Sequence, residues 1–243
     1  PFSFLDIPYG DDEASVDYLA GQLRDFTGEL ERRFGVTFKE EKLREALEME
    51  NETRRELIRF LKLQSERYYP GELISHLYLM MGMHLLIGTR EFLDLVRFMV
   101  EDIQSYPKFT GKKILWVHLL PFYQESLQAY FNTNPNYQVI ASDIAIDSME
   151  ELDVSRPFHA LAKKIIRNLY NGSYSHKAQM VAGLARELQP DAVIQFCHWG
   201  CKQSSGGSLL LKERMQEMDI PMLILDGDGI DNDSDNLNTF MII

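Results

Sequence analysis

The spacing of apolar residues changes once along this chain, near Gly111, and that change constrains the fold more tightly than any motif. Beyond it lie four short β-prone runs, at residues 113–119, 137–141, 192–196 and 222–225. Helical patterns separate them, at roughly 122–131, 158–170, 175–188 and 208–218. Strands that alternate with helices form right-handed βαβ units, in which each helix carries the chain back over the sheet and covers one apolar face. The expected class is α/β: a helical segment, then a Rossmann-like or flavodoxin-like parallel sheet of about four strands flanked by helices, over residues 111–243.

Before Gly111 the period is that of helices. Val16, Leu19, Leu23, Phe26, Leu30 and Phe34 recur three or four apart, one stripe of an amphipathic helix from Ser15 to about Gly35. Leu43, Leu47, Leu57, Leu61 and Tyr68 make a second stripe, which Pro70 and Gly71 stop. Two further helices are expected at about 72–86 and 91–104. Residues 77–87 are apolar on nearly every side, which assigns them to a core or an interface, with Met80, Met81 and Met83 as filler. On the same helix His76 and His84 suit core packing with a backbone partner better than metal binding. Residues 1–110 thus read as a helical linker or interface segment. The chain opens on a strand-like run at 1–8 and ends soon after an acidic loop, the pattern expected of a fragment of a larger subunit.

Composition narrows the setting. Lys plus Arg number 25 against 37 Asp plus Glu, a formal charge of −12, with no basic stripe, which excludes nucleic acid as the expected partner. No apolar run is long enough to span a bilayer, and no signal-peptide pattern is present. The expectation is a soluble, cytoplasmic protein.

Cys197 and Cys201, the only two cysteines, are too few for a disulfide scaffold and sit where the third β-prone run gives way to a glycine-rich turn. In open parallel sheets, ligands collect outside the carboxyl ends of the strands. A pair spaced this way in a reducing setting can be free, metal-bound or redox-active. Alternatively, Cys197 is a small buried hydrophobe and Cys201 a spare surface thiol. Gly206 and Gly207 let backbone approach a bulky group, and the next helix N-terminus favours negative charge, whether a thiolate or an iron–sulfur cluster.

The run from Gln195 through Cys197, His198, Trp199, Gly200 and Cys201 to Gly207, a helix, and then Ile220 to Asp228 resembles the C-terminal domain of the 2-hydroxyacyl-CoA dehydratase family, which includes the benzoyl-CoA reductase subunits. Phe4 to Pro8, Leu43 to Leu47 followed by Asn51, and Asp191 to Ile194 also resemble it, so the likeness runs along nearly the whole chain. The resemblance implies a subunit of an enzyme that removes water from an acyl-CoA through a ketyl radical. A separate ATP-hydrolysing iron–sulfur activator supplies the electron, and a homologous second subunit completes the enzyme. A benzoyl-CoA reductase-like subunit and a non-catalytic partner or electron-relay subunit are the alternatives.

Three cysteines hold a [4Fe–4S] cluster in that family. An asparagine-arginine-serine-cysteine-lysine type of motif falls on His198 to Lys202, which makes Cys201 the carried-over metal ligand and Cys197 an accessory one. The other family cysteines have no counterpart, one of them expected near residues 171–176, so an incomplete or absent cluster is implied. His198 and Ser204 are the catalytic candidates. His198 is placed to orient a cluster or a substrate carbonyl. Gln203, with Ser204 and Ser205, is read as donating hydrogen bonds to cluster sulfides or capping the next helix, and Gly206 as a cofactor contact.

Two signals stand apart. His118 ends a β-prone run and is a site candidate by its place at the sheet edge. The carboxylates between Asp226 and Asp235 invite calcium but fail the EF-hand spacing, which leaves a solvated loop.

Overall fold

A computed structural model describes residues 3–146 and 150–228. Four helices come first: α1 (Glu13–Phe34), α2 (Glu40–Glu66), α3 (Leu73–Leu85) and α4 (Arg90–Ile103). Their ends follow local chemistry. Asp12 caps α1 by accepting from the Ser15 N–H at 2.9 Å, and Gly35 closes it in the left-handed conformation with φ 64°. Thr89 caps α4 through the Phe92 N–H.

The sheet follows as β1 (Lys112–Val117), β2 (Tyr137–Ser142), β3 (Ala192–His198) and β4 (Met222–Gly227). Helices α5 (Glu125–Phe131), α6 (Pro157–Ile166), α7 (Tyr174–Leu188), α8 (Lys202–Ser205) and α9 (Ser208–Gln216) connect them, with a 3₁₀ turn at Asp143–Ala145. All pairings are parallel, in the order β2-β1-β3-β4. The α/β class and the parallel sheet are therefore as expected. Winding goes outward from β1 to β2, then resumes on the other side with β3 and β4. The switch point lies between β1 and β3, where the flanking connections part, the position at which open parallel sheets take their ligands.

Alternation along the strands loads both faces. Leu115, Val117, Ile140 and Val193 pack with Leu57, Phe60, Val96 and Val100 of α2 and α4, and with Val181 and Leu188 of α7. That cluster contains residues from both sides of Gly111. The opposite face gathers Ile114, Trp116, Ile194, Phe196, Leu223 and Leu225 with Leu127 and Phe131 of α5. A third cluster joins Val16, Leu19 and Ala20 of α1 to Phe158, Ala162 and Ile166 of α6.

Three expectations change. Residues 3–8 pair with no strand among the described residues; Gln22 of α1 instead satisfies both the N–H and the C=O of Asp6, each at 2.9 Å, as a strand partner would. The helix expected over 158–170 stops at Ile166. Residues 77–87, expected in a core or an interface, are core only in part: Gly82 and Met83 are buried, but Tyr78, Met81 and Leu85 are 67 %, 46 % and 70 % exposed on the single chain. One side of α3 packs on Phe92 and the 3₁₀ turn, and the other faces outward. His84 has its backbone partner, the Ile144 carbonyl at 2.8 Å, although it is exposed rather than core.

Candidate functional site

β3 ends in Cys197 and His198, and the chain turns through Trp199 and Gly200 to Cys201, which precedes the single turn of α8. Ser204 holds this turn together. It is fully buried; its Oγ accepts from the His198 N–H at 3.0 Å and lies 2.8 Å from the Cys201 carbonyl. His198 turns back on its own loop, where Nδ1 accepts from the Gly200 N–H at 3.0 Å.

The turn sends the two thiols in different directions. Cys197 is buried and points at the Ser204 carbonyl, 3.4 Å away. Burial, with the nearby Asp226 carboxylate, pushes its thiol up to about 11. Cys201 is half-buried, and its sulfur lies 3.6 Å from His118 Nε2. Gln203 and Gly206 are exposed, on α8 and just after it. Gly207 is the glycine that a close approach requires: a Cβ there would stand 2.1 Å from the Tyr174 ring.

His118 closes β1, so the Cys201–His118 contact lies at the switch point between β1 and β3. Burial, reinforced by the charge of Lys177 and by His198, holds its imidazole down to about 4, neutral at neutral pH. Its backbone is left-handed, φ 73°, a strained state for a non-glycine residue. Asp143, at the end of β2 and fully buried, secures it: Oδ1 accepts the His118 N–H at 2.6 Å. Asp143 Oδ2 accepts from the Tyr170 hydroxyl at 3.3 Å and pairs with Lys177 Nζ, also at 3.3 Å.

Lys177 is itself fully buried, its ammonium 4.4 Å from the centre of the Tyr170 ring. It makes no further hydrogen bond of good geometry among the described residues. Burial and Asp143 push the Tyr170 phenol far above its ordinary value, and burial pushes Tyr174 up to about 12. Gln195, in the middle of β3, donates to the Tyr174 hydroxyl at 2.9 Å and to the Ser204 carbonyl, tying α7 to the cysteine turn.

Of the residues singled out in the sequence, Cys201 and His118 meet, while Cys197, His198 and Ser204 engage the turn itself. Asp143, Tyr170 and Lys177 escaped notice, and Gln195 stood only as the first residue of the family-like run. Asp143 had a usable signal, because it follows a β-prone run as His118 does. Lys177 had a fainter one, since it falls on the stripe of Val181, Leu184 and Leu188 that α7 buries. The carboxylates of the acidic loop beyond Asp228 lie outside the described residues.

A cluster needs several ligands converging on one point. Among the described residues no three His, Cys, Asp or Glu side chains are grouped to hold a metal ion. With Cys197 turned inward, these residues do not fit a complete iron–sulfur site by themselves. No helix among them is long and apolar enough to cross a membrane.

The sequence matches the family model described as 2-hydroxyglutaryl-CoA dehydratase, D-component, over residues 1–240. It is also similar to the (R)-phenyllactyl-CoA dehydratase beta subunit of Clostridium sporogenes, with 23 % identity over 227 residues, which cover 89 % of this chain and 59 % of that subunit. The chain thus spans under two thirds of the length of the curated relative it matches.

Proposed function

We propose, from the premise that the chain belongs to the 2-hydroxyglutaryl-CoA dehydratase D-component family, that it serves as one subunit of an enzyme eliminating water from a 2-hydroxyacyl-CoA. The observation that carries this reading is Cys201 facing His118 at the switch point of the sheet, the crevice where α/β folds take their ligands. Cys201 is the thiol of this chain open to an iron–sulfur group, and the remaining ligands would come from outside the described residues. Such a group supplies one-electron redox chemistry when bound.

The chain's own residues have definable tasks. The neutral imidazole of His118 can exchange a hydrogen bond with the Cys201 sulfur without adding net charge. Ser204 and Gln195 hold the turn that carries Cys201. A homologous second subunit and an ATP-dependent iron–sulfur activator belong to this reading, in keeping with a relative that is itself a beta subunit.

A second reading, a partner or relay subunit without chemistry of its own, is favoured by one specific observation. Cys197 donates inward to Ser204, which leaves one outward-facing thiol among the described residues.

Anaerobic co-purification of the protein with a homologous second subunit, followed by activation and a panel of 2-hydroxyacyl-CoAs, tests the proposal. Formation of the enoyl-CoA by wild type and its loss in Cys201→Ala is the expected outcome. Turnover that survives Cys201→Ala leaves the relay-free partner role, and no turnover with any substrate overturns the dehydratase reading.

A further inference from the structure

The buried ion pair of Asp143 and Lys177 stands beneath the site without touching the thiols. A buried pair is a poor route to stability, because desolvation costs about as much as the attraction returns. What Asp143 does reach is the His118 backbone. One carboxylate oxygen accepts the His118 N–H at 2.6 Å, and the other is held by the Tyr170 hydroxyl and the Lys177 ammonium. His118 is one of four non-glycine residues with positive φ among those described, and it is the buried strand-end one. A left-handed residue at a strand end persists only where its surroundings hold it. Here that conformation turns the imidazole toward Cys201.

We propose that Asp143 is a positioning residue for His118, with Lys177 and Tyr170 fixing the carboxylate so that one oxygen stays on the His118 N–H and Nε2 stays on the Cys201 sulfur. The proposal rests on the reading of the Cys201–His118 contact as the working edge. It separates two properties of Asp143 that a merely structural ion pair would not separate, the charge and the place of the acceptor. Asp143→Asn keeps an oxygen where the N–H needs it and loses the charge. Asp143→Glu keeps the charge beside Lys177 and moves the acceptor away.

The test is the alkylation rate of Cys201 in the full chain at one fixed pH, with Cys197 as an internal gauge, since labelling of that buried thiol reports unfolding. His118→Ala removes the neutral imidazole whose Nε2 can hydrogen-bond the sulfur as it attacks, and is expected to slow Cys201 about tenfold. Asp143→Glu slows it to the same rate, and adding His118→Ala to it slows it no further. Asp143→Asn stays within about twofold of wild type. A wild-type rate in Asp143→Glu, a His118→Ala-like rate in Asp143→Asn, or an additive double variant overturns the proposal. A wild-type rate in His118→Ala overturns it as well, because no contact would then need holding. The measurement requires neither acyl-CoA nor iron, so a failure of the dehydratase reading is seen in turnover alone and leaves this result interpretable.

Discussion

The two cysteines show how far a residue's role depends on its last few ångströms. Their spacing left both available to one ligand, yet Cys197 completes the buried end of β3 while Cys201 meets His118. A neutral alkylating reagent is therefore expected to modify Cys201 in the native protein and Cys197 only after denaturation, with mass spectrometry of the tryptic peptides as the readout. Equal native labelling of both would contradict the burial of Cys197. Lys177 carries a second expectation. Lys177→Met leaves Asp143 buried without its cation, a loss of about 3–5 kcal/mol, measured as a shift of the denaturation midpoint. Adding Asp143→Asn removes the stranded charge and should recover part of that loss; simple additivity would show that the two groups do not act on each other. The sequence made Cys201 and His118 legible because strand ends in parallel sheets are where chemistry collects. It hid Lys177 because a lysine on a helix is ordinarily read as solvated, and only its register with Val181, Leu184 and Leu188 places it inside.

At the level of elements, periodicity placed the helices and strands, and side-chain ties set where they meet. Asn51 of α2 is one such tie: its side chain accepts from the Leu152 N–H at 2.7 Å and donates to the Leu152 carbonyl at 2.9 Å. Gln138 is another, donating to the Gln64 and Arg67 carbonyls and accepting from the Tyr69 N–H, which binds the end of α2 to β2. Neither tie is visible in a hydrophobic pattern, because each joins residues far apart in the chain. Asn51→Ala should cost about 2 kcal/mol, from the loss of two hydrogen bonds and the stranding of the Leu152 peptide. An unchanged midpoint in urea would mean that water replaces the side chain there. The helix expected at about 122–131 begins only at Glu125, and α6 ends early, for a related reason. Apolar residues of a loop that packs on the sheet, such as Phe122, continue the stripe of the helix beside it.

For the molecule as a whole, the parallel sheet and the place of its carboxyl edge followed from the alternation of strand and helix, but completeness of the proposed site does not follow from the fold. The described residues place one outward-facing thiol at the switch point and group no three ligands for a metal. An iron–sulfur cluster bound by one thiolate and one imidazole contact has too few bonds to persist against exchange with solvent thiols. Anaerobic reconstitution of the 243-residue chain alone, with iron and sulfide, is therefore expected to leave it without a stable four-iron cluster after gel filtration. Both thiols should then titrate as free once the protein is denatured. On the dehydratase reading, the same reconstitution in the presence of a homologous second subunit should retain iron and acid-labile sulfide, and Cys201→Ala should lower that content. A stable cluster on the isolated chain would overturn the account of Cys197 as an inward-facing thiol, since it would have to leave the Ser204 carbonyl to serve as a ligand. The rearrangement would be visible as native labelling of neither cysteine in the loaded protein and of Cys201 alone once the metal is removed.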